Sequence, residues 1–139
     1  LTQAQGKLTA EKATSGNLQI ELDGAKAELT TAQGTIETQA AEILKAQQLG
    51  TVYKFLADVN TARAVLETLD VNSTRQAINF AKADLVELEA TGIEAASIAG
   101  FKDRLDEAET KLGEPDLLTS RAALNTLYQN ILLLIDNLK

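Results

Sequence analysis

The sequence predicts an all-α protein, an N-terminal coiled-coil helix leading into a four-helix up-down bundle built from two repeated helical hairpins. Three observations predict it. Apolar residues recur at seven-residue intervals through the first third of the chain. The segments after it carry stripes of helical period. The second half also resembles itself when shifted by 46 positions. Composition agrees, because Ala, Leu, Glu, Lys and Gln dominate and all favour helix. One proline and no run of alternating β-branched residues argue against strands. Hydrophobic residues make up 45% of the chain and aromatics 4%, so the expected core is aliphatic.

The first element is a stalk over residues 1–49. Leu1, Leu8, Ser15, Leu22, Leu29, Ile36 and Ile43 occupy one heptad position. Ala4, Glu11, Leu18, Ala25, Ala32, Gln39 and Ala46 occupy its partner, three residues later. That spacing makes a coiled-coil seam of about six heptads, roughly 70 Å long at about 1.5 Å per residue. The expected oligomer seam is Leu8, Leu18, Leu22, Leu29, Ile36 and Ile43. Gly6, Gly16, Gly24 and Gly34 weaken it by about 1 kcal/mol each relative to Ala. Thr14-Ser15-Gly16-Asn17 is the weakest stretch, and the competing expectation is a break there with the first piece folding back.

Near Leu49–Gly50 the seam slips. An extra three-residue step (Ile43, Ala46, Leu49, Val52) marks a change of packing partner, and the first aromatics, Tyr53 and Phe55, follow it. Residues 50–139 are therefore expected to form the bundle, with hairpins at about 50–92 and 94–139. The first bundle helix carries Leu49, Val52, Leu56, Val59, Arg63 or Ala62, Leu66 and Leu69. The second runs from about Ser73 to Ala90, with Ala77, Ile78, Ala81, Leu85 and Leu88 on one face. Ser73 with Gln76 reads as a capping box and Thr91-Gly92 as a stop. The third, about Glu94 to Leu112, places Ile98, Phe101, Leu105, Ala108 and Leu112 at 3-4 spacing. Gly113 ends it and Pro115 restarts the chain. The fourth, about Asp116 to Leu138, is apolar on more than one face.

The internal repeat is the most specific signal. With the 46-residue offset, residues 55–92 align without a gap to 101–138. Phe55 meets Phe101, Ala62 meets Ala108, and Leu66 meets Leu112. Asp70 meets Asp116, Arg75 meets Arg121, Ala77 meets Ala123, Asn79 meets Asn125, and Leu88 meets Leu134. One hairpin cannot cover its own apolar face, so two copies pack together.

Charge and missing residue types narrow the function. A net charge of −7 without a basic block disfavours nucleic acid and anionic membrane surfaces, both of which are held by Lys and Arg. The chain has no cysteine and no histidine. Thiolate nucleophiles, zinc-cysteine sites and the commonest acid/base residue are thus excluded. No phosphate-binding glycine motif appears. The longest apolar run, Ile131–Ile135, is too short to span a bilayer. No catalytic residue, cofactor or metal is expected. The i, i+4 pair Asp103 and Glu107 reads as part of a solvated face interleaved with Lys102, Arg104 and Lys111.

Two sets of residues remain. Asp70 with Arg75, and Asp116 with Arg121, recur at one spacing and read as structural turns, the Asp capping the next helix or pairing with the Arg. Leu132, Leu133 and Ile135 lie off the main stripe of the last helix and read either as core or as a subunit or partner interface. The function expected is structural: homo-oligomerisation through the N-terminal helix, with the bundle offering a protein-binding surface. The alternative is a binding module accepting an apolar ligand or partner helix between the hairpins. The absent starting methionine, the lack of cysteine and the Thr/Gln/Ala-rich stalk favour an extracytoplasmic or cell-envelope location over the cytoplasm.

Overall fold

The computed structural model describes residues Leu1–Lys139. It contains four helices and no strand: α1 (Thr2–Glu67), α2 (Val71–Ala90), α3 (Ala95–Lys111) and α4 (Leu118–Leu138). The chain divides into two compact units, Leu1–Glu42 and Ile43–Lys139. Helix α1 contributes to both.

The first unit is helix throughout from Thr2, with no break at Gly16. Every one of its residues is exposed. Most of its threonines bond locally. Thr9, Thr14, Thr30, Thr31, Thr35 and Thr38 each donate to the carbonyl four residues back at 3.0 Å. Each of these hydroxyls thus finds its partner within the helix, at a slight cost in helix stability. An added Cβ at Gly6, Gly16, Gly24 or Gly34 would meet nothing within 4 Å.

In the second unit four helices pack around one apolar core. Lys54 on α1 reaches Asp84 on α2, and Gln48 reaches the Thr91 carbonyl at 3.0 Å, so the two helices run antiparallel. Helix α4 lies on the other side of α1 and also runs antiparallel to it. Glu67 meets Arg121 at one end and Lys45 donates to the Lys139 carbonyl at 2.7 Å at the other. Lys82 pairs with Asp106 across α2 and α3. Ser120, fully buried, donates to the Ala108 carbonyl at 2.7 Å across α3 and α4. At the centre Phe55 and Phe101 join the diagonal helices α1 and α3, their ring centroids 5.7 Å apart and tilted by 41°. Lys45 and Gln48 engage the rest of the unit before Leu49–Gly50, where the spacing of apolar residues changes.

Burial recurs along the chain at the 46-residue offset. Val52, Phe55, Val59, Ala62 and Leu66 are buried, and so are Ile98, Phe101, Leu105, Ala108 and Leu112. Thr74, Ala77, Ile78, Ala81 and Leu85 are buried, as are Ser120, Ala123, Leu124, Leu127 and Ile131.

Several local expectations need correction. Leu69 is not part of the core stripe. It is 66% exposed and sits at φ 59°, closing the α1–α2 turn in a left-handed conformation. Ser73 does not cap α2. The N-cap is Asp70, whose Oδ1 accepts from the Ser73 backbone N–H at 3.0 Å and whose Oδ2 accepts from the Ser73 hydroxyl at 2.6 Å. The cap therefore lies three residues earlier, and α2 gains most of a turn. Gly92, at φ 81°, follows the Thr91 cap as a glycine suited to that backbone.

Candidate functional surfaces

The seam residues lie on a helix that offers them no partner. Leu8, Leu18, Leu22, Leu29 and Ile36 in the first unit are all exposed, as is Ile43 at the start of the second. Leu22 is 49% exposed and Ile36 63%. Adjacent turns of an isolated helix cover roughly half of each side chain and no more. The surface is thus an uncovered apolar strip set at heptad spacing.

The two turn pairs are alike in sequence and differ in structure. Asp70 caps α2, and the Ser73 hydroxyl and N–H hold its carboxyl below the usual carboxylate range. Asp116 Oδ1 accepts from the Leu118 N–H at 2.9 Å, while the α4 N-cap is Leu117. No ion pair joins Asp70 to Arg75 or Asp116 to Arg121, which corrects the pairing half of the expectation. Arg121 turns to α1 instead. Its Nη2 donates to Glu67 Oε2 at 3.1 Å, and its Nε lies 2.9 Å from Oε1 but off the line of a hydrogen bond. The position matching Glu67 at the 46-residue offset is Gly113, so Arg75 has no counterpart of that carboxylate.

Of the proposed interface residues on α4, Ile135 is 3% exposed and belongs to the core. This corrects its reading as an interface residue: the last turns of α4 face inward at Ile131 and Ile135, one turn apart. Leu132 is half-buried against the core, and Leu133 is 63% exposed. Leu133 borders a shallow groove between α3 and α4 with Ala96, Ser97, Gly100 and Asn130. A second cleft, about 180 Å³, lies between α1 and α4 and is lined by Asn60, Arg63, Leu66, Glu67, Arg121 and Asn125. Its two arginines are already engaged. Arg63 donates from Nε to Asn125 Oδ1 at 2.8 Å and from Nη1 to Asn60 Oδ1 at 3.1 Å, and it stacks 4.1 Å over the Tyr128 ring. At the 46-residue offset that cation–π contact corresponds to Glu109 and Lys82, which form an ion pair.

Sequence reasoning missed one charged cluster. Asp84 lies on the buried face of α2 and is 3% exposed. Lys54 on α1 contacts its Oδ1 at 2.8 Å and Glu87 at 3.0 Å. Hydrogen bonds from Lys54 to Asp84 and Glu87 raise the lysine above its ordinary range. Asp84 Oδ2 has no hydrogen-bond partner. Asp58, one turn beyond Lys54, stands within hydrogen-bonding reach of Asp84, and its carboxyl is pushed up to about 6 by burial and by that neighbour. The available signal was the i, i+4 spacing of Lys54 and Asp58, which puts both on one face of α1. The acidic run on α3 is tied up differently. Asp106 and Glu109 pair with Lys82, and Arg104 pairs with Glu107 at 2.7 Å. Burial opposes the charge on Lys82, but the two ion pairs outweigh it and raise the lysine.

No helix is long and apolar enough to cross a membrane. No protein-family model, curated protein or solved structure matches the chain.

Proposed function

We propose that the chain is a non-catalytic oligomerisation and protein–protein interaction module, in which copies associate as a coiled coil through the heptad seam of α1. The observation that carries this reading is the first unit itself, a helix with every residue exposed and apolar side chains at coiled-coil spacing. A helix without tertiary contacts draws little stability from propensity, and most helices are held by packing of an apolar face. Burying a Leu or Ile side chain contributes about 1.5–3 kcal/mol. Half that value at each of the six seam positions still exceeds the cost of about 1 kcal/mol at each of the four glycines.

The bundle is built from two copies of one hairpin in the same proposal. Shared identities at the turn support that reading, and so does the recurrence of buried positions. The interior between the hairpins is filled by Phe55 and Phe101, which supports a scaffold over a receptor for an apolar ligand.

The test is the mass in solution. Light scattering on the whole chain is expected to give a multiple of the monomer mass, with helicity that rises with concentration. Replacing Leu22 and Leu29 together by Asn is expected to shift the mass to the monomer while the bundle still unfolds cooperatively. A monomeric wild-type chain, or a double variant of unchanged mass, would sink the seam.

A further inference from the structure

We propose that the carboxyl groups of Asp58 and Asp84 share one proton across the α1–α2 seam, making the first hairpin a proton-binding latch that tightens in mildly acidic solution. The starting point is the oxygen left over. Buried polar atoms nearly always find a partner, and a carboxylate oxygen can only accept. Lys54 satisfies Asp84 Oδ1 at 2.8 Å, while Oδ2 is buried with no donor. Asp58 is the neighbouring group able to supply one, and it does so only when protonated. The proton then lies between the Asp58 carboxyl and Asp84 Oδ2. The pair carries one negative charge, and Lys54 balances it. When the proton leaves, two carboxylates face each other beside a single ammonium.

The surroundings hold little else that titrates. From α1 the charged groups are Lys54 and Asp58; from α2 they are Asp84 and Glu87, the latter 60% exposed and bound to Lys54 at 3.0 Å. From α3 the neighbour at this level is Phe101, against Phe55, and no group of α4 pairs with the cluster. The second hairpin has no such latch. At the 46-residue offset Lys54, Asp58 and Asp84 correspond to Gly100, Arg104 and Asn130.

Asp58 holds its proton more tightly in the folded chain than in the unfolded one. The folded state therefore gains stability as pH falls through about 6 toward the ordinary carboxyl range, and loses it as pH rises.

Thermal unfolding of the full chain between pH 5 and 8, with Asp58→Asn and Asp84→Asn beside it, tests the latch. The wild type is expected to melt several degrees higher at pH 5 than at pH 7.5. Asp58→Asn, whose amide donates at every pH, is expected to lose that dependence and to melt at or above the wild type at pH 7.5. Carboxyl carbon NMR adds a readout free of the carboxylates on the N-terminal helix. Asp58 should titrate near pH 6 in the wild type and near its ordinary value in Asp84→Asn. An Asp58 midpoint near 4 in the wild type, or an Asp58→Asn variant that keeps the wild-type slope, would overturn the proposal. The Asp58 titration reads the hairpin itself, whether or not copies associate.

Discussion

Leu69 shows how much one backbone angle can hide from a sequence reading. Helical spacing puts it in line with Leu66, yet it sits at φ 59° with most of its side chain in solvent. A left-handed conformation costs an L-residue about 1–2 kcal/mol, and an exposed leucine gains little apolar burial to offset that. Leu69→Gly is therefore expected to raise stability by about 1 kcal/mol, read as a higher urea midpoint at unchanged slope. The next residue was legible. Asp is a good N-cap because its carboxylate reaches an N–H three residues on, and Asp70 does so at Ser73. Asp84 was legible in position but not in its pairing. Helical spacing does set it apart from the exposed acids Glu87 and Glu89, since it falls between Ala81 and Leu88 on the buried stripe, but an acid there reads as a break in the stripe until Lys54, thirty residues earlier, is seen beside it.

At the level of elements, the bundle helices and most of their stripes followed from period and punctuation, with the start of α2 placed too late at Ser73, while the glycines separate into two kinds. Gly16 and Gly24 lie in open space inside a regular helix and on the outer face of the heptads. Ala at either position is expected to stabilise the helix by about 1 kcal/mol without touching the seam, seen as higher helicity by circular dichroism. Gly92 is different, because φ 81° suits glycine and strains alanine. Gly92→Ala is expected to lower stability by about 1 kcal/mol in the same measurement, although it too meets no steric neighbour. The continuity of α1 through Gly16 was one of two readings the sequence allowed. Propensity lowers the stability of that stretch without forcing a turn, and Thr9 and Thr14 bond back to carbonyls of the same helix.

For the whole molecule, the core was the most legible part. A helical stripe names its own buried face, so Val52, Val59, Leu66, Phe101, Leu105 and Ala108 could be placed inside from spacing alone, although on α1 the spacing points to Leu56 and it is Phe55 that is fully buried. What joins one helix to another was much less legible. Arg63 over Tyr128, and Lys82 with Asp106 and Glu109, are pairings between helices that no single helix announces. The uncovered strip on α1 has a consequence for the lifetime of the chain. A helix held by nothing but its own hydrogen bonds opens often, and a protease cuts in proportion to the open population. Lys7, Lys12 and Lys26 are exposed on that stretch and are sites for trypsin. Under the proposed association, dilution alone should make them vulnerable, with cleavage there outrunning cleavage in the bundle as concentration falls. Digestion at equal protease-to-chain ratios over a dilution series, followed by mass spectrometry, would show it. The abundance of such a chain would then govern its own survival, since crowded copies would shield one another and scattered ones would be trimmed back to the bundle.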